Sequence, residues 1–191
     1  MERINEIKYV KDGPTPRSYW IIPDQLAAGA YPGKQGSGTI NVIPEVLEKL
    51  LESGVDAFIN LTEDLPGGGD DMLELYDPFL PENCVINRFP ILDVNIPTQG
   101  FMATILDAID EHLTEGRKPY IHCWGGIGRT GTVVGCWLIR HGHATPEIVG
   151  DMISELRFGD VEAGYRVSPE AESQWDFILN WEREKYRNNE W

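Results

Sequence analysis

The sequence predicts an α/β domain: a central, mostly parallel sheet flanked by helices. Three observations carry that expectation. Short apolar runs such as "VDAFINL" and "CVINRFPIL" alternate with segments of helical periodicity. Helices dominate the last third of the chain. The run "KPYIHC" passes through a glycine-rich turn straight into the apolar "RTGTVVGCWLIRHG", a strand–loop–helix unit.

Taken in order, "SYWII" and "QLAAGAY" read as short strands parted by Pro23 and Asp24, and "GKQGSG" as a flexible turn. Thr39 then precedes a helix in which Ile43, Val46, Leu47, Leu50 and Leu51 recur at helical spacing, with Gly54 as its stop. The strand "VDAFINL" is followed by the acidic loop "TEDLPGGGDD", and "CVINRFPIL" by a proline-bounded loop. After Pro97-Thr98, a helix turns Phe101, Met102, Ile105, Ile109 and Leu113 inward and ends at Gly116. Thr145-Pro146 and Ser168-Pro169 each read as an N-cap with proline at the first helical position. The aromatic tail "WDFILNWEREKYRNNEW" reads as a helix packed on the domain.

Length and composition suit one domain spanning 1–191, since 191 residues with 41% hydrophobic content can bury a core unaided. With 16 Lys+Arg against 31 Asp+Glu the net charge is −15, which repels nucleic acid and anionic membranes and favours basic partners. Three cysteines are too few for a disulfide framework and suit a reducing compartment. "MERINEIKYV" lacks a signal-peptide core and no apolar run approaches membrane-spanning length, so a cytoplasmic, monomeric protein is expected.

The chemistry concentrates in "HCWGGIGRTG", His122 to Gly131, where two phosphate-loop patterns overlap. "GIGRTG" fits a dinucleotide-binding turn, but such a fold needs another strand, ending in an acidic residue, soon after the helix. After Gly142 comes "HATPEIVGDMISELRFG", which reads as a capped helix, and Cys123 and Arg129 would have no task. The other pattern uses every residue. Cys123 at the strand end would lie beneath the N–H groups of Trp124, Gly125, Gly126, Ile127, Gly128 and Arg129, which favour a thiolate nucleophile. The planar Arg129 guanidinium can take two phosphoryl oxygens at once. Thr130 would set a hydroxyl near the sulfur, and His122 would orient the loop by hydrogen bonding. A general acid is also needed, and Asp93 in "FPILDVNIPT", 30 residues before Cys123, is the candidate. Asp107 and Asp110 read instead as the solvated face of a helix.

At these residues the sequence resembles the protein tyrosine phosphatase superfamily, specifically its small dual-specificity branch, and is similar to the kinase-associated and proline-directed cell-cycle phosphatases. The resemblance is strong over Val85 to Gly142 and extends weakly to "VDAFINLTE", where Asn60 would brace the loop, and to "SPEAESQWDFI", where Gln174 would position water. It implies the cysteine-phosphatase fold and a two-step reaction. Cys123 attacks phosphorus while Asp93 protonates the leaving oxygen, and water activated by Asp93 then clears the phosphocysteine. No cofactor or metal is implied.

The expected substrate is a phosphorylated protein or peptide. A recognition loop that would deepen the pocket is missing, so phosphoserine, phosphothreonine and phosphotyrosine are all admitted. No lysine lies within the loop, unlike phosphoinositide members of the family it resembles, which weighs against a lipid headgroup or inositol polyphosphate; a phosphatase of a small or inositol phosphate and a catalytically silent phosphate reader are the alternatives. The loop around Glu63, Asp64, Asp70 and Asp71 would either select basic flanks or simply be solvated and mobile. Trp124 would line the pocket wall or pack inward. Cys84 would be inert or a redox partner of Cys123, and Cys136 a core residue.

Overall fold

The structure, a computed structural model, describes residues 12–33 and 42–187, with side chains to residue 181. Thr39, most of the expected "GKQGSG" turn and the residues past 187 lie outside those described. Five strands form one sheet: β1 (Ser18–Ile22), β2 (Leu26–Gly29), β3 (Ala57–Asn60), β4 (Val85–Arg88) and β5 (Pro119–His122), in the order β1-β2-β5-β3-β4. Only β1 runs antiparallel to its neighbour; β2, β5, β3 and β4 are all parallel.

Register matters more than strand count. Gly29, His122, Asn60 and Arg88 are cross-strand partners in one row, so the loops after four parallel strands leave from the same sheet edge. Ligands of open parallel sheets gather at that carboxyl edge.

Alternation along the strands splits the core. Ala28, Ile59 and Ile121 face a cluster with α2 (Gln99–Thr114), α3 (Gly128–Arg140), α4 (Val149–Leu156) and α5 (Glu172–Arg187). Ala27, Phe58 and Tyr120 face the other way, onto α1 (Glu45–Glu52) and Tyr76. Every residue of α3 from Gly128 to Ile139 is buried, so this helix is the spine of the larger layer. Gly135 lets α5 approach: a Cβ there would lie 2.7 Å from Cδ1 of Ile178. Burying a side chain such as Ile178 contributes on the order of 1.5–3 kcal/mol.

Three helix starts differ from expectation. α1 begins at Glu45, behind Pro44, because proline disfavours helical geometry in the residue before it. α4 begins at Val149; the Thr145 carbonyl accepts from the N–H groups of Ile148 and Val149, and its side chain caps nothing. α5 begins at Glu172, since the Ser168 hydroxyl is engaged with the Ile127 carbonyl at 2.7 Å. Thr98 does cap α2, accepting from the Phe101 N–H. Asp110 is no solvated-face residue: it accepts from Trp137 Nε1 at 3.0 Å, pairs with His141 at 2.9 Å and ties α2 to α3. Among the described residues no helix is long and apolar enough to cross a membrane.

Candidate active site

β5 is the central strand, and its end delivers Cys123, 3% exposed, to the carboxyl edge. The chain then turns through Trp124 to Ile127 and enters α3 at Gly128. Gly126 makes the turn possible. Its φ is +69°, and a Cβ there would collide with the Gly29 carbonyl at the end of β2. The Trp124 carbonyl accepts from the Tyr31 N–H at 3.1 Å, and that of Ile127 from Ser168 Oγ at 2.7 Å. Because carbonyl and N–H of one peptide point oppositely, the Gly125 and Gly128 amides face away from those donors. The start of α3 adds first-turn N–H groups without intrahelical acceptors, and the positive end of the helix dipole.

Arg129 is 1% exposed and held on several sides. Its Nη1 donates to Asp70 Oδ2 at 2.6 Å and to the Ile91 carbonyl at 3.0 Å, and Nη2 lies 2.9 Å from Asp93 Oδ1. Burial alone would pull its pKa down. The Asp70 hydrogen bond and the nearby carboxylates of Asp70 and Asp93 outweigh burial and hold it above its ordinary value. Two polar atoms of this turn, Arg129 Nε and Thr130 Oγ1, are buried without a hydrogen-bond partner. Orphaned groups of this kind cost about 1–3 kcal/mol each, and an anion among them would recover much of that.

The loop after β4, called the acid loop after the role expected of Asp93, is different. Asp93 is 64% exposed in its side chain, and Val94 behind it adopts φ +58°, a left-handed conformation that a β-branched residue seldom takes. Gln174, fully buried, donates to the Asn95 carbonyl at 3.3 Å and lies against Gly128, joining acid loop to α3.

His122 is fully buried between Tyr76 and the loop. Nε2 is 2.8 Å from the Tyr76 hydroxyl and Nδ1 3.3 Å from the Cys123 carbonyl, so Nδ1–H donates and Nε2 accepts. Burial lowers its pKa to about 3, which leaves the ring neutral. Asn60 does not reach the loop. Its amide donates to Asp64 Oδ2 at 2.7 Å and its oxygen accepts from Thr62, bracing the turn after β3 instead.

The acidic loop is built in rather than mobile. Asp64 accepts from Tyr31, Asn60 and Arg88, and Asp70, 8% exposed, accepts from Arg129 and the Glu63 N–H. Burial would raise Asp70, but the hydrogen bonds of Arg129 and Glu63 hold it below the usual carboxylate range. Sequence reasoning missed Asp70, Ser168 and Tyr76 as parts of this site. Their partners lie dozens of residues away, and no local pattern announces them. Trp124 is 48% exposed, hence at the rim and not packed inward.

Cys84 precedes Val85, which pairs with Ala57, itself opposite Pro119, at the far edge of the sheet from Cys123. Five residue steps at roughly 3.3 Å each put about 17 Å along the strands between them, beyond disulfide reach. Cys136 is fully buried in the core, and all three thiols are free.

A cysteine at a strand end, glycine turn and arginine at the following helix define the cysteine-phosphatase class. The chain belongs to the family Tc-R-P, described as "Polymorphic toxin system, DSP-PTPase phosphatase", which it matches over residues 32–143. It is 34% identical over 93 residues to an uncharacterised protein of Methanocaldococcus jannaschii, covering 48% of this chain and 56% of that protein. It is 31% identical over 136 residues to cyclin-dependent kinase inhibitor 3 of Rattus norvegicus, covering 69% of this chain and 63% of the relative. The chain spans about half the length of several curated relatives it matches. In fold it is similar to kinase-associated phosphatase with its catalytic-site cysteine replaced by serine (TM-score 0.64, 22% identity, 83% of this chain and 86% of that one). The phosphatase Tk-PTP in its active form superposes with a TM-score of 0.61 at 24% identity, over 88% of this chain and 97% of that one.

Proposed function

We propose that the protein is a cysteine-dependent phosphatase of phosphorylated proteins or peptides. The observation that carries this reading is the pair of buried, unpartnered polar atoms, Arg129 Nε and Thr130 Oγ1, in the first turn of α3 next to the loop that bears Cys123. A phosphoryl group held by Arg129 and the loop amides brings its phosphorus to Cys123 Sγ. The S–P bond forms as the P–O bond breaks, and the leaving oxygen takes the Asp93 proton. Water then attacks phosphorus while returning a proton to Asp93. The S–P bond breaks, phosphate departs and the thiolate is restored, with Thr130 assisting the sulfur as leaving group and Gln174 aligning the water. Arg129 and the amides stabilise the charge in both steps.

Substrate binding competes with an existing contact. Asp93 sits on Arg129 Nη2, so an incoming dianion displaces it and frees the carboxyl for the leaving group. Around that point the mouth exposes Leu92, Val94, Ile96 and Trp124. Of the four carboxylates a basic flank would need, Asp64 and Asp70 are engaged inside. The reading therefore favours apolar residues beside the phosphate over basic ones. The proposal includes a monomer, and a working thiol suits the reducing cytoplasm.

Hydrolysis of an aryl phosphate tests the reading. Cys123→Ser should lower turnover by at least about 10⁴-fold with phosphate binding retained, as expected for loss of a nucleophile. An unchanged rate would overturn it. Phosphopeptides with aliphatic, neutral and basic flanks then rank the substrate, and a preference for basic flanks would reverse that part.

A further inference from the structure

Gly125 and Gly126 give the phosphate loop a problem as well as a shape. Glycine accepts either sign of φ, so the peptide between them can flip at little intrinsic cost. A flip would turn a carbonyl toward the anion and take an N–H away from it. Something outside the loop has to choose the orientation.

Two arginines meet those two carbonyls. Arg157, at the end of α4 and wholly buried, donates from Nη1 to the Gly126 carbonyl at 2.7 Å and from Nη2 to the Ala163 carbonyl at 2.8 Å. Arg17 donates from Nη2 to the Gly125 carbonyl at 3.1 Å. Asp160, also buried, lies 3.3 Å from Arg17 Nε and 3.9 Å from Arg157 Nη2, and its Oδ1 takes the Ala163 N–H. One carboxylate thus sits between two guanidiniums.

The expense of this arrangement argues for a purpose. A buried charge is costly unless it is paired and hydrogen-bonded, and an apolar side chain would fill the same space more cheaply. Among the described residues Arg157 has no carboxylate closer than 3.9 Å. The Tyr19 ring beneath it, 5.7 Å from the guanidinium carbon, offers its face and no negative charge, since burial pushes that hydroxyl up to about 12. What Arg157 does have is the loop carbonyl at 2.7 Å.

We propose that Arg157 and Arg17, bridged by Asp160, are positioning residues that lock the Gly125 and Gly126 carbonyls outward and so keep the Gly126 and Ile127 amides turned to the phosphoryl group. The inference rests on the phosphatase reading and deepens it. With Trp124 held by Tyr31 and Ile127 by Ser168, four successive carbonyls are then claimed from outside.

The test uses phosphate binding and needs no turnover: the inorganic phosphate concentration that half-protects Cys123 from alkylation by iodoacetamide. Arg17→Gln alters a side chain that is 18% exposed and should leave the fold intact, as its unfolding midpoint would show. It should raise that concentration about tenfold, as expected from partial loss of an oriented donor. Arg157→Met should raise it further, and Arg157→Lys, with one ammonium in place of a fork, should restore part. The aryl phosphate kcat should fall together with phosphate affinity. Unaltered affinity in folded Arg17→Gln and Arg157→Lys proteins overturns the clasp while leaving the phosphatase reading standing. Absence of protection in the unaltered protein overturns both.

Discussion

Two loops leave the same sheet edge and converge on Arg129, yet they are built oppositely. The phosphate loop, 123–129, is largely buried, wedged against β2 through Gly126 and claimed by donors at successive carbonyls. The acid loop, 91–96, is largely exposed and has its one non-glycine left-handed residue beside Asp93. The difference matches the demands of the two tasks proposed for them. Binding a dianion needs fixed dipoles that do not reorganise, whereas a proton donor must yield to the substrate and then return. Rigidity is concentrated where charge is stabilised.

The largest expected effect breaks the comparison on the exposed side. Asp93→Asn should lower kcat on an alkyl phosphate by about 10²–10⁴-fold, the usual worth of general-acid help. The loss should be smaller on an aryl phosphate with a good leaving group, and equal losses on both would deny Asp93 that role. On the rigid side, Gly126→Ala should destabilise the protein by about 2–4 kcal/mol in denaturant unfolding, from left-handed strain plus collision with Gly29. A neutral result would mean the loop is looser than its contacts imply.

His122 sharpens the same side through pH. Its folded pKa is depressed to about 3, while the unfolded chain protonates near 6.5. The unfolded state therefore binds the extra proton first as pH falls, and stability is full above 6.5 and declines toward 3. The slope from this residue approaches about 1.4 kcal/mol per pH unit, and His122→Asn should flatten it. The smallest effect is on the acid loop again. Val94→Gly should raise stability by up to about 1 kcal/mol by removing strain, and any accompanying fall in kcat would show that the strained turn aims Asp93.

What the sequence made legible was local. Glycine spacing, a strand before the turn and an apolar helix after it identify the Cys123 loop without any tertiary contact. The helix start at Pro97-Thr98 was readable, and there Thr98 meets a capping partner only three residues on. Ser168 before proline carries the same local signature, yet its hydroxyl is taken by Ile127 from 41 residues away. Asp70 lay in an acidic glycine-rich run that looks solvated, and only its pairing with Arg129, 59 residues on, gives it another character. Asn60 was placed on the right strand edge, but which neighbour its amide meets depends on the turn that follows. Local patterns locate the chemistry, and distant side chains decide how firmly it is held.

The distance between Cys84 and Cys123 has a further consequence, for damage by peroxide. A sulfenic acid formed on Cys123 finds no second thiol of its own chain within reach, since Cys84 is at the opposite sheet edge and Cys136 is sealed in the core. Rescue must come from a small external thiol or from condensation with a loop amide. Without either, oxidation proceeds to the sulfinic acid and is permanent, so the lifetime of the Cys123 thiol under oxidants is set by the thiol pool around it.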